Sequence, residues 1–210
     1  IFFLVLSLPA KAMDIEEVVS PGGIKAWLVS DKTVPVIALR FAFIGGSAEE
    51  DPKKAGVTNF ITGLMDEGAG NMKALEFQSA LKENAIRLSF SAERDRVIGS
   101  LQTLSENKKR AFDLLSLALA KPRFDKDAIE RIRAQLITGL KYDSQTPTKI
   151  ASKKWMKMSF NDHPYARSVK GNIKTVKAID RADLVKRTKS LYVKNRLLVS
   201  AVGDIDKQEL

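Results

Sequence analysis

The 210 residues include no cysteine and a single histidine. The first absence excludes disulfides and thiolate-held metals. The second leaves one imidazole where a zinc site usually needs three or four protein ligands, and it removes most histidine acid–base chemistry. Aromatic residues make up only 7% of the chain, and no basic stretch is interleaved with them as a base-stacking strip would be. Long apolar runs are missing too. The uncharged stretch at residues 1–8 is too short to cross a bilayer, so no membrane span is expected.

The formal net charge is +10. Its carriers are dispersed, with Lys53-Lys54, Lys108-Lys109-Arg110, Lys153-Lys154 and Lys186-Arg187 in separate segments among apolar or acidic residues. That distribution reads as a solvated basic surface, with no nucleic-acid partner. The length accommodates one large domain or two small ones. No repeat or linker-like stretch divides it, so one domain is the simplest reading.

Residues 1–8 lead into Pro9 and then Ala10-Lys11-Ala12. An apolar run ahead of a small-x-small triplet has the form of a secretory signal peptide cut after Ala12. Residues 1–12 are therefore expected to be a signal remnant, 13–210 the mature domain, and the protein exported to the periplasm. With no initiating methionine and no basic lead, the sequence is expected to start inside the precursor.

Residues 15–20 and 24–30 are rich in strand formers and are separated by the turn Pro21-Gly22-Gly23. Residues 34–43 follow Asp31-Lys32, which predicts a hairpin with the preceding strand. Val57, Phe60, Ile61, Leu64 and Met65 then recur at three- and four-residue spacing, a helical stripe that Gly68-Ala69-Gly70 ends. Asn71 is placed to cap a helix over 72–84. Ile86, Leu88, Phe90 and Ala92 alternate as in a half-buried strand, with 97–104 as its partner across Glu93-Arg94-Asp95. Ser105 caps a helix over 106–121, stopped by Pro122. Further helices are expected over 125–143, 147–160 and 180–193, and an apolar strand over 196–202. The stretch holding Asn161-Asp162-His163-Pro164 and Gly171-Asn172 reads as irregular. This order of elements predicts an α+β fold, a largely antiparallel mixed sheet with helices packed on it.

Several strings, in register along nearly the whole chain, resemble the pitrilysin/insulinase/processing-peptidase family (M16) of metallopeptidases. They are Gly45-Gly46-Ser47-Ala48-Glu49-Glu50, Ala55-Gly56-Val57, Leu101-Gln102-Thr103-Leu104-Ser105-Glu106-Asn107, Lys121-Pro122-Arg123-Phe124, His163-Pro164-Tyr165, Tyr192-Val193-Lys194-Asn195-Arg196-Leu197 and Val202-Gly203-Asp204. The resemblance implies the N-terminal domain of such a protein, with a second, similar domain expected to follow Leu210.

The family's chemistry sits on its first helix as H-x-x-E-H. Two histidines four apart hold zinc, and the glutamate polarises a zinc-bound water. The matching pentad here is Asn59-Phe60-Ile61-Thr62-Gly63. Asn59 and Gly63 stand for the histidines and Thr62 for the base. The resemblance places the third ligand at Gly139, in the long helix, and a supporting glutamate at Ile132. An amide oxygen binds zinc poorly, a glycine offers no ligand, and threonine is no base at neutral pH. No metal and no cofactor are therefore expected on this chain, with zinc belonging to an active partner.

Other candidates are weaker. His163 matches a structural string, not a ligand position. Asp66 and Glu67 could pair as acid and base, but a solvated helix end is the simpler reading. Ser89 and Ser91 lack visible histidine–carboxylate support. Gly45-Gly46 and Gly68-Ala69-Gly70 lack the Lys-Ser/Thr of a phosphate loop and read as turns. One site needs no zinc. Active relatives pair substrate with an edge strand through main-chain bonds, and the matching segment is centred on Ser89, Phe90, Ser91 and Ala92.

The resulting expectation is a degenerate member without peptidase activity of its own. It would form half of a peptide-enclosing chamber with an H-x-x-E-H subunit. The alternatives are a structural or assembly subunit without peptide binding, self-association in place of a partner, and an active zinc endopeptidase.

Overall fold

The computed structural model describes residues 14–210; the expected signal remnant lies outside them. Six strands lie side by side in the order β1 (Glu16–Val19), β2 (Lys25–Ser30), β8 (Leu197–Gly203), β3 (Val36–Ile44), β7 (Arg96–Leu104) and β6 (Arg87–Ala92). β8 runs parallel to β2, and every other pairing is antiparallel. This is the mixed, largely antiparallel sheet of the α+β reading.

Period-two alternation builds the sheet's buried face. β3 turns Ile37, Leu39, Phe41 and Phe43 inward while Ala38 and Arg40 face solvent. Phe41 stands opposite Gly99 of β7. A Cβ at Gly99 would come within 2.0 Å of the Phe41 ring, so only glycine admits the ring there.

The expected hairpin between β2 and β3 is not formed, because β8 lies between them, parallel to one and antiparallel to the other. Residues 31–35 must then span two strand spacings, roughly 9.5 Å, rather than turn straight back. The Asp31 N–H donates to the Gly203 carbonyl and the Thr33 N–H to Asp31 Oδ1, each at 2.9 Å. Pro35 has no N–H to offer a ladder.

Helices cover the inner face only. Phe77, Ala80 and Leu81 of α2 (Ala74–Glu83) and Ala111, Leu114, Leu115 and Ala118 of α3 (Lys108–Ala120) pack on the strands. A second apolar cluster joins α1 (Val57–Thr62), α4 (Lys126–Asp143), α6 (Ile173–Ala178) and α7 (Arg181–Leu191). Phe90, Leu119 and Tyr192 touch both clusters. α5 (Pro147–Phe160) contributes no buried residue.

Three local expectations are corrected. Asn71 does not cap α2: Gly68–Ala69 and Met72–Lys73 pair as short strands (β4 and β5) around Gly70-Asn71. The Lys73 N–H at the start of α2 donates to Glu76 Oε2 at 2.9 Å. Ser105 opens a 3₁₀ turn, so α3 starts three residues later, at Lys108. Residues 173–178, read as loop, form α6.

Candidate functional site

α1 starts where Gly56 takes the left-handed conformation, φ 96°. A helix start leaves N–H groups without intrahelical partners, and a buried carboxylate meets two of them. Glu50 accepts from the Gly56 N–H at 2.6 Å and the Thr58 N–H at 2.7 Å. Burial pushes the Glu50 carboxyl up, against the pull of the Thr58 and Gly56 bonds. Arg187 of α7 fastens the same corner, donating to the Gly46 carbonyl at 2.8 Å and to Thr58 Oγ1 at 3.2 Å. Sequence reasoning assigned Glu50 and Arg187 no role. The signal was the string at 45–50, which carries Glu50.

From this anchor α1 lies along α4. Phe60, Ile61 and Leu64 share one cluster with Ala128, Ile129 and Ile132, and the Arg133 guanidinium sits 5.1 Å from the Phe60 ring centre. Thr62 is buried, and its hydroxyl donates to the Asn59 carbonyl at 2.9 Å. Gly63 caps the helix C-terminus, with its N–H on the same carbonyl at 3.3 Å. A Cβ on Gly63 would lie 3.1 Å from Ile132 Cγ2. The structure thus brings Gly63 and Ile132 together, and a methyl group fills the space beside the glycine. Gly139 lies further along α4, roughly 10 Å at 1.5 Å per residue, and a Cβ there would meet nothing within 4 Å.

These residues do not fit a zinc ion. Zinc takes imidazole, thiolate or carboxylate donors, and Asn59, Thr62, Gly63, Ile132 and Gly139 offer none of them. Among the described residues no group of three or more His, Cys, Asp or Glu is placed to hold a metal ion.

The acids that follow α1 are not a solvated helix end. The chain turns under α4 here, burying Leu64 and Met65. Glu67 is buried with them and ion-paired to Arg131 of α4. Asp66 is half-buried; burial raises its pKa and neighbouring Glu67 adds to the rise, with Arg131 opposing. Glu67 is thus committed to an arginine and is no free partner for acid–base work.

His163 is exposed and serves as a cap. Its Nδ1 accepts from the Tyr165 N–H at 3.2 Å. The Tyr165 hydroxyl donates to the Asp95 carboxylate at 2.6 Å, clamping this segment to the β6–β7 turn. Gly45-Gly46 crosses the same turn so closely that a Cβ on Gly46 would meet the Glu93 carbonyl oxygen at 2.4 Å.

Among the described residues β6 is the last strand of the sheet, bonded to β7 on one side and to no strand on the other. α1 packs beside it. Leu88, Phe90 and Ala92 point inward, with the Phe90 ring edge-on to Phe41 at 5.8 Å, while Ser89 and Ser91 are exposed. The Ser89 hydroxyl is 2.8 Å from that of Ser100, while His163 is engaged by the Tyr165 N–H. Hydrogen-bonded pairs alternate along an antiparallel ladder. Glu93 N–H bonds the Arg96 carbonyl at 2.8 Å, so Ser91 and Ser89 face the β7 ladder with their main chain. The N–H and C=O groups of Leu88, Phe90 and Ala92 are therefore directed to the open side.

Residues 25–172 match the family model described as Insulinase (Peptidase family M16). The beta subunit of the mitochondrial-processing peptidase of Saccharomyces cerevisiae is 26% identical over 165 residues, covering 79% of this chain and 36% of that protein. The non-peptidase homolog YmxG of Helicobacter pylori is 23% identical over 172 residues, 82% of this chain and 40% of its own. Among solved structures, a peptidase M16 inactive domain from Pseudomonas fluorescens superposes with TM-score 0.87 at 26% identity, over 93% of this chain and 48% of that one. A protease from Helicobacter pylori shares the fold, with TM-score 0.84 at 20% identity over 94% and 48% of the two chains. The chain thus spans less than half the length of each of these relatives.

Proposed function

This chain belongs to the insulinase family, peptidase family M16, and on that footing we propose that it is the non-catalytic subunit of a heteromeric peptidase. It forms one wall of a chamber around a peptide. A second chain with an intact H-x-x-E-H supplies the zinc, the water and the base.

The observation that carries this reading is the seam between α1 and α4. The positions that would hold metal have no donors, and Ile132 packs against Gly63 where a histidine side chain would need room. The fold around the seam is nevertheless that of a solved M16 domain, and the outer edge of β6, unpaired among the described residues, needs only main chain to pair with an extended peptide. A similar protein named as a beta subunit and two others named as a non-peptidase homolog and an inactive domain support the same reading. The triplet Ala10-Lys11-Ala12 supports export as the setting in which the pair works.

The test is to purify the chain alone and together with an H-x-x-E-H chain of the same family from the same source. The chain alone is expected to carry no stoichiometric zinc and to hydrolyse no peptide. The pair is expected to hydrolyse peptides at least about tenfold faster than the active chain by itself, a gain of roughly 1.4 kcal/mol in barrier. Stoichiometric zinc with hydrolysis by this chain alone overturns the reading.

A further inference from the structure

The outer edge of β6 is six residues long, roughly 17–20 Å of strand. A strand laid against it turns its side chains alternately to the two faces of the sheet. On the helix-covered face they meet Leu88, Phe90 and Ala92, and on the bare face Arg87, Ser89 and Ser91, all three exposed. Directly opposed side chains lie about 4.5–5.5 Å apart at Cβ, so their charges help decide which strands pair.

Charge along the bare face is uneven. Among the described residues Arg87 joins no ion pair and no side-chain hydrogen bond. Arg87 and Ile86 also line a cavity of about 600 Å³ at the start of β6, together with Gln78, Leu81, Lys82 and Gln102 and with no acidic residue. Uncharged Ser89 and Ser91 occupy the middle of the edge. At the far end both carboxylates of the β6–β7 turn are engaged. Glu93 pairs with Arg96 at 2.8 Å, and Asp95 accepts from the Tyr165 hydroxyl at 2.6 Å.

We propose that the peptide held at β6 carries an acidic side chain beside Arg87, so that the assembled pair prefers acidic peptides to basic ones; the inference rests on the heteromeric reading above. Unlike charges directly opposed favour a pairing, and like charges disfavour it. The net +10 of the chain acts in the same sense at longer range, drawing an acidic peptide in and holding a basic one off. A charged residue on an edge strand also guards against indiscriminate strand addition. Here the guard works by sign, turning away a lysine and admitting a carboxylate.

The test uses the pair made inert, with the glutamate base of the H-x-x-E-H chain changed to glutamine. A single Glu is first moved along an otherwise neutral peptide. Calorimetry is expected to show tighter binding at one position and not at its immediate neighbours, whose side chains turn to the other face. At that position Glu is expected to bind about threefold more tightly than Gln, and Gln about threefold more tightly than Lys, with the spread shrinking in high salt. Arg87→Gln is expected to erase this order and Arg87→Glu to reverse it, each leaving the Gln peptide bound as before. Equal binding of the three peptides, a preference for Lys, or an order that survives Arg87→Glu overturns this inference and leaves the peptide-holding pair intact. A pair that binds none of the peptides overturns both, as it would if another segment of the same protein took the edge.

Discussion

Gly63 and Gly139 both lie outside the left-handed region, so neither position needs glycine for its backbone. Their surroundings are opposite. Gly63 has the Ile132 methyl against it, whereas Gly139 has open space. Putting the family's histidine back at Gly63 therefore overpacks the α1–α4 seam, and Gly63→His is expected to lose about 1–3 kcal/mol. Gly139→Ala removes a flexible residue from a helix interior without a clash and is expected to gain about 0.5–1 kcal/mol. Urea denaturation of the two variants measures both; equal effects of the same sign would refute the packing account. That Asn59, Thr62, Gly63, Ile132 and Gly139 carry no zinc donor was readable in the sequence. That Ile132 fills the space beside Gly63 was not, since it depends on how two distant helices lie together.

At the scale of elements, periodicity gave the core of most helices and strands, and the failures have physical causes. α6 was missed because it is six residues long and only Ile173 and Val176, three apart, mark an apolar face within it. Its start is a reciprocal pair, the Thr175 N–H on Asn172 Oδ1 at 3.1 Å and the Asn172 N–H on Thr175 Oγ1 at 3.0 Å. That Asn-x-x-Thr pattern departs from the usual Ser/Thr-x-x-Glu signature. β2 and β3 looked like a hairpin because sequence neighbours usually pair; a strand arriving from near the far end of the chain took the place between them. The edge position of β6 follows only from that sheet order. Proline separates its two main-chain sides. Ser91→Pro removes an N–H from the β7 ladder and leaves its acceptor unpaired, and is expected to cost about 1–3 kcal/mol. Ala92→Pro removes one directed to the open side and is expected to cost less than Ser91→Pro, while abolishing peptide capture by the assembled pair. Thermal unfolding and peptide binding read the two variants, and a reversed order of stability would refute the assigned ladder.

For the whole molecule, the α+β class and the sheet's buried face followed from patterning, while the division of the core into two clusters bridged by Phe90, Leu119 and Tyr192 did not. The burial of acids between α1 and α4 was likewise hidden, because Asp66-Glu67 in sequence looks like any polar helix end. Asp66 makes that burial a property of global stability. Its carboxyl is held above the ordinary value near 3.8, chiefly by burial. The folded state therefore binds that proton more tightly than the unfolded chain does, and proton linkage sets the sign. The stability this group allows is full below about pH 3.8 and declines as pH rises through the higher folded value, where a charge must be buried. Asp66→Asn keeps the shape and cannot ionise. The variant and the parent should thus be equally stable at the acid end, with asparagine increasingly favoured as the pH rises toward neutrality. Differencing the two urea curves at each pH cancels the opposite contributions of Glu49 and Asp183, whose carboxyls lie below their ordinary values. If the aspartate form instead became the more stable one toward neutral pH, the charge on Asp66 would be compensated by Arg131, and burial would not be the controlling term.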